Sequence, residues 1–220
     1  MGEQALSVTW RQLVRNFSVG NSKMKLLGSP ASPYVRKCRV AVTELGLSDK
    51  VEMVHASTAP IDPNAEIKAA NPVVKIPTLI LDSGEALFDS RIIMRYLDDQ
   101  TGGSLYPAGD WSVQRRESQA EGLLDAALLL RYETFLRPED KRWDDWIKGQ
   151  SFKISNVLDA MENEVSALSG VDAAAIGTGC ALGYLDFRFS EWLWRDNRPA
   201  LAAWFEEFSQ RPSMQSSKPE

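Results

Sequence analysis

Three short stretches of the chain carry residue types that could do chemistry. In GSPASPYVRK, residues 28–37, Ser32 stands directly before Pro33 and a helical pattern. Proline suits the first helical position because its missing N–H would be unpaired there in any case. Ser32 then falls at the N-cap, beside free backbone N–H groups and the positive helix end. A plain capping serine accounts for it; the functional reading is a site for an anion or a thiolate at a helix N-terminus. In NPVVKIPTL, residues 71–79, Pro77 cannot donate to a β-ladder and so marks a strand start or edge. A cis Ile76–Pro77 bond there would turn the Ile76 backbone towards a ligand. Asp89-Ser90 opens a further helical pattern, where capping alone would again suffice. Each signal is weak singly. Together they would lie along one edge of a single sheet.

Other chemistry is poorly provided for. The chain has one histidine, His55, and two cysteines, Cys38 and Cys180. A structural zinc site needs four such ligands and a three-ligand site would use all three residues, so no metal is expected. A Ser/His/Asp triad has little support from a single His55, read as structural at a strand end, and the two cysteines read as buried thiols. With 25 Lys+Arg against 30 Asp+Glu the net charge is −5, which argues against a broad nucleic-acid-binding face. No apolar run approaches the length of a membrane span, and residues 1–23 lack the apolar core of a secretory signal, so the cytoplasm is the expected compartment. At 220 residues the chain can bury about 70% of its surface, which suffices for a core without staples.

The elements that must position these residues divide into two kinds. Short apolar runs at 23–28 and 51–55, and a hairpin formed by 77–82 and 86–88, predict four strands. Between them, helices are expected over 32–46, 61–72 and from Asp89 to Gly102-Gly103, the last turning Ile92, Ile93, Tyr96 and Leu97 inward. After residues 104–110 (SLYPAGD), no strand pattern survives, and helical stretches cover about 111–137, 140–168, 172–188 and 199–209. The expected organisation is an N-terminal tail (1–23), a small α/β domain (24–103), a linker (104–110) and an all-helical domain (111–220).

With these residues in view, residues 24–215 resemble the cytosolic glutathione transferases, most closely the bacterial serine-type members whose first domain begins K-L-x-G-S-x-x-S-P-[FY]-V-R-K. The resemblance implies a thioredoxin-like domain followed by an all-α domain, a homodimer, and glutathione as co-substrate with no metal. It places Ser32 at the activating serine, Lys75 and Ile76 at the residues that bind the glutathione backbone, and Pro77 at the cis-proline. Asp89 and Ser90 match the pair that holds the γ-glutamyl end. The implied partners are glutathione and a small electrophile, with no nucleic acid and no membrane, and the implied role is detoxification. The loop ASTAPIDPN, residues 56–64, lacks the Gln or His that related classes carry near the glycine end, so that contact is unassigned. At Asp172-Ala-Ala-Ala175 the helix cap is kept and its usual acidic partner is absent.

Serine at position 32 cannot form a mixed disulfide as the cysteine of thiol-transferring relatives does, which favours conjugation or glutathione-dependent isomerisation. Ser29 is the competing hydroxyl and ranks second because it precedes the helix. Arg36 and Lys37, one turn on, either favour an anion or form a solvated helix face. Tyr132, Phe135, Trp143, Tyr184, Phe187 and Trp192 are candidates for the electrophile site. The alternative from another class is a non-catalytic interaction module on the same scaffold.

Overall fold

The structure is a computed structural model that describes residues 23–219. The expected tail therefore lies, but for Lys23, outside the described residues. Strand β1, Met24–Gly28, runs parallel to β2, Val51–His55, and antiparallel to β3, Thr78–Ile80. Strand β4, Ala86–Leu87, pairs antiparallel with β3, giving the order β2-β1-β3-β4. Because β1 is interior, both its faces are covered, and its apolar run needs no alternation. Leu26 enters the main core, closed by α1, Pro33–Glu44, and α3, Ser90–Asp99. Leu27 points the other way into a small cluster with Ala56 and Ile67 of α2, Ala65–Ala70. The result is the thioredoxin-like three-layer arrangement.

Local chemistry explains where these helices stop. Helix α2 is shorter than expected because residue 62 precedes a proline and is steered away from helical geometry. The Asn64 side chain then caps the helix, accepting from Glu66 N–H at 2.9 Å and Ile67 N–H at 3.0 Å. Gly46, at φ 68°, ends the segment that follows α1. In α3 the buried stripe is Ile93, Met94 and Leu97, and Ile92, expected inward, is 49% exposed. At about 100° per residue, Ile92 lies well outside that stripe.

The second half is helical throughout: α4, Trp111–Arg131; α5, Asp144–Glu164; α6, Ala173–Arg188; α7, Pro199–Ser209; and α8, Pro212–Ser216. The stretch expected to continue α4 to residue 137 becomes a π turn at Tyr132–Leu136. There Glu133 accepts from Trp143 N–H at 2.9 Å and pairs with Arg137 at 2.8 Å, which turns the chain towards α5. Helix α8 was not anticipated, since one turn offers no period to read. Helix α6 is the bundle's centre and is buried from Ala173 to Leu185. Its small residues permit close approach: a Cβ at Gly177 would stand 3.1 Å from that of Ala120 on α4. The Asp172 carboxylate caps it, accepting from Ala175 N–H at 2.8 Å.

The two halves are tied at several points. Asp98 at the end of α3 accepts from Leu105 N–H at 2.8 Å and Tyr106 N–H at 3.0 Å, fixing the segment between them. On the far side, Arg36 of α1 donates to the Met214 carbonyl at 3.1 Å, and Glu44 accepts from Arg211 at 2.8 and 2.9 Å. Among the described residues no helix is long and apolar enough to cross a membrane.

Candidate functional site

The sheet register brings the three signalled stretches together. Leu27 pairs with Thr78 and Leu79 with Leu87. Continuing each ladder outward sets the turn after Gly28, the Ile76-Pro77 step and the Asp89-Ser90 step at one end of the sheet. Gly28 also pairs with His55, so the lone histidine sits exposed at that end. Gly28 itself packs under α1, since a Cβ there would meet Val35 Cγ2 at 2.5 Å.

Ser32 is the N-cap of α1, with φ −83° and ψ 123°. Its Oγ accepts from Val35 N–H at 3.4 Å, and no acceptor among the described residues takes its hydroxyl proton. A hydroxyl has one proton to donate, and that of Ser32 remains available. Ser29 is one turn of chain away, with its Oγ accepting from Ala31 N–H at 3.4 Å. Tyr34, the nearest phenol in the chain, donates to Asp125 Oδ1 at 2.6 Å. Burial and then that carboxylate push its pKa far above the ordinary phenol range, so its proton is committed. A shallow hollow beside Ser32 is lined by Pro30, Arg36, Cys180, Tyr184 and Pro219.

The loop before β3 is organised by Asn71, a residue read from sequence only as a helix end. Its Nδ2 donates to the Lys75 carbonyl at 3.0 Å and Thr78 Oγ1 at 3.1 Å, and its Oδ1 accepts from Val73 N–H at 2.9 Å. The Ile76–Pro77 bond is cis, as expected. No hydrogen bond among the described residues engages either backbone group of Ile76, so both can pair with a ligand. The Lys75 side chain is exposed.

Asp89 caps α3, accepting from Arg91 N–H at 3.0 Å and pairing with its guanidinium at 3.1 Å. Burial would raise the Asp89 pKa, but the hydrogen bonds and charge of Arg91 hold it below the usual carboxylate value. Ser90 is 2% exposed, and behind it lies a group for which the sequence offered no warning. Lys37 is fully buried, with Nζ 3.5 Å from Ser90 Oγ, 4.0 Å from Glu117 Oε1 and in direct contact with Glu121. Burial pulls the Lys37 pKa down and Glu117 pushes it back up. An ammonium has three protons to donate and none to accept, and three oxygens face it here. Ser90 Oγ therefore accepts from Lys37, and its own proton is left to point elsewhere. Arg36 and Lys37 thus form no solvated face. The guanidinium of Arg36 is buried too, in space that the missing side chain of Gly183 on α6 leaves open.

Of the aromatic candidates, Tyr184 adjoins the Ser32 hollow. Phe135 and Trp143 are largely exposed, Trp143 stacking on Trp146, while Trp192 packs against Phe189. Tyr132 lies on the π turn and Phe187 lies under Arg188, whose Cζ is 3.9 Å from its ring centre. Burial raises Cys38 to about 12 and Cys180 to about 11, which makes both thiols poor nucleophiles at neutral pH. Among the described residues no group of three or more His, Cys, Asp or Glu could hold a metal ion.

A thioredoxin-like sheet with a capped serine and a cis-proline at one end, joined to a helical bundle, is an arrangement seen across known proteins. Residues 31–100 match the family profile described as glutathione S-transferase, N-terminal domain. The chain belongs to the glutathione transferase family. It is 31% identical over 204 residues to the uncharacterized GST-like protein YibF of Escherichia coli K12, spanning 89% of this chain and 98% of that one. Its fold is similar to that of a glutathione transferase family member from Pseudomonas fluorescens Pf-5 solved with bound glutathione. That match has a TM-score of 0.87 and 44% identity, and covers 90% of this chain and 100% of the other. A second structure from that organism holds S-(propanoic acid)-glutathione, at TM-score 0.83 and 43% identity over 90% and 100% of the two chains. A glutathione S-transferase of Methylobacillus flagellatus with glutathione bound matches at TM-score 0.81 and 33% identity, over 90% and 100%.

Proposed function

We propose that the protein is a glutathione transferase that holds the glutathione thiol as a thiolate at Ser32 for attack on a small electrophile, by conjugation or by glutathione-dependent isomerisation. The observation that carries this reading is the uncommitted hydroxyl proton of Ser32 at a helix N-terminus, at the same sheet end as the unpaired Ile76 backbone. A thiol of pKa near 8.5 is only about 3% thiolate at pH 7, and the thiolate is the nucleophile. A shift of about two units makes roughly three quarters of it thiolate, for about 2.7 kcal/mol. One hydroxyl donating to an anion contributes roughly 1.5–3 kcal/mol, and the helix end about 0.3–1 more. No general base is required. In conjugation the sulfur forms a bond to carbon while the leaving group departs with its electron pair. The relative that holds S-(propanoic acid)-glutathione supports an occupied position beyond the sulfur.

In this reading the Ile76 backbone and Lys75 hold the peptide part of glutathione against Pro77. Asp89, Ser90 and the first N–H groups of α3 hold the γ-glutamyl end. The protein acts in the cytoplasm, in detoxification, as a homodimer of two-domain subunits with boundaries at residues 24–103 and 111–220. Light scattering should give twice the subunit mass; a monomer at working concentrations would count against the dimer.

Ser90 should matter for binding more than for chemistry, because a carboxylate far from the sulfur is held alike in ground and transition states. Ser90→Ala should raise the half-saturating glutathione concentration by about tenfold with little change in maximal rate. A collapse of maximal rate at saturating glutathione would contradict the assignment. Retention on immobilised glutathione tests the whole reading, and failure to bind would favour an interaction module.

A further inference from the structure

Burying an ammonium is costly, and Lys37 is the only buried lysine among the described residues. It sits where α1, α3 and α4 meet. Its Nζ stands 3.5 Å from Ser90 Oγ on α3 and 4.0 Å from Glu117 Oε1 on α4, and it touches Glu121 one turn further along α4. Glu117 also accepts from the Tyr106 hydroxyl at 2.7 Å, in the segment between the two halves. Every contact in this cluster runs one way. Tyr106 and Lys37 donate, while the two carboxylates and the Ser90 oxygen accept.

The consequence falls on Ser90. Its oxygen faces a group with no lone pair to offer, so its own proton has to turn away from Lys37. Ser90 is 2% exposed, and no acceptor among the described residues takes that proton. A buried donor without a partner is costly and rare, which points to a partner that arrives from outside. Ser90 is also the first residue of α3, where backbone N–H groups have no partner within the helix. The hydroxyl and these N–H groups are all donors. An ionised carboxylate, which only accepts, satisfies them together, whereas an ammonium meets nothing but donors.

We propose that Lys37 is a positioning residue for substrate binding: by donating to Ser90 it fixes the serine as a donor, so that the start of α3 takes the α-carboxylate of the γ-glutamyl end and rejects the α-ammonium. The inference rests on the glutathione-transferase reading and adds to it a residue that itself touches no substrate. Without the ammonium the Ser90 hydroxyl is free to rotate inward towards Glu117, which has then lost a donor, and the carboxylate loses its hydrogen bond.

The test is a calorimetric titration of the full chain with glutathione and two analogues: 4-aminobutyryl-cysteinyl-glycine, which lacks the α-carboxylate, and glutaryl-cysteinyl-glycine, which lacks the α-ammonium. The variant is Lys37→Met/Glu121→Gln, the second change removing a carboxylate left without its counterion. The loss of affinity on deleting the carboxylate should be about tenfold smaller in this variant than in the unaltered protein, the effect of one charge-assisted hydrogen bond. The loss on deleting the ammonium should agree between the two proteins to within about twofold. Ser90→Ala should show the same reduction, and combining all three changes should reduce it no further. A merely structural Lys37 would weaken all three ligands alike, and that result, with glutathione still bound by the unaltered protein, overturns the inference alone. Where the variant does not fold, neutron diffraction from crystals of the unaltered protein decides: the Ser90 deuteron should point away from Lys37, and a deuteron directed at Lys37 Nζ overturns the inference. Absence of glutathione binding by the unaltered protein removes the transferase reading and the inference with it.

Discussion

Ser32→Ala is expected to raise the pKa of bound glutathione by roughly one to two units, the loss of a charge-assisted hydrogen bond of about 1.5–3 kcal/mol. At pH 7 the thiolate fraction, and the turnover that depends on it, should fall by about three- to twenty-five-fold. The deficit should shrink as pH rises towards the pKa of the free thiol, because water then removes the proton unaided. Folding should lose only a cap, about 0.5–2 kcal/mol, and the long 3.4 Å bond to Val35 N–H places the cost towards the lower end. A thiolate-absorbance titration of glutathione bound to both proteins, with melting measured alongside, separates the two effects. Equal pKa values with glutathione still bound would reduce Ser32 to a cap and move the interaction-module reading ahead.

Lys37→Met should produce the largest loss of stability of any single change near the site. Lys37 has no exposed surface and stands between Ser90, Glu117 and Glu121. Removing one member of a buried charge cluster leaves the others uncompensated, at about 3–5 kcal/mol. For a chain of this size the melting point should drop by roughly 6–20 °C. Adding Glu121→Gln to Lys37→Met should recover part of the loss, since it removes a carboxylate that has lost its counterion. A single-variant loss below about 1 kcal/mol, typical of an exposed pair, would show that the cluster is hydrated.

The sequence disclosed what is local and concealed what is distant. Ser32, Asp89 and Asp172 were legible as caps because capping chemistry acts over two or three positions, whereas Asn64 fell inside the helix expected over 61–72. Pro77 was legible because an X–Pro step before an apolar run constrains few geometries. Lys37 was not, because its partners Glu117 and Glu121 are about eighty positions away and nothing in a helical period distinguishes a paired interior lysine from a solvated one. Arg36, whose acceptors are 178 and 181 residues distant, misled for the same reason. Ile92 misled differently: an apolar residue adjoining an inward stripe reads as part of it. The cysteines were read as buried, and their environment bears that out.

The wrapping of α1 by the segment from Arg211 to Ser217 has a consequence for biosynthesis. The strands and helices of the first half leave the ribosome early, yet the Glu44 contact with Arg211 closes a separation of 167 residues. At about 5–20 residues per second, the helix headed by Ser32 waits roughly ten to thirty-five seconds for these partners. During that interval Arg36 cannot reach its native acceptors, and α1 should be cleavable by protease in chains stalled before residue 211. Protection of α1 in such chains would contradict this. The helix that begins at the serine is among the first to be translated and among the last to be finished.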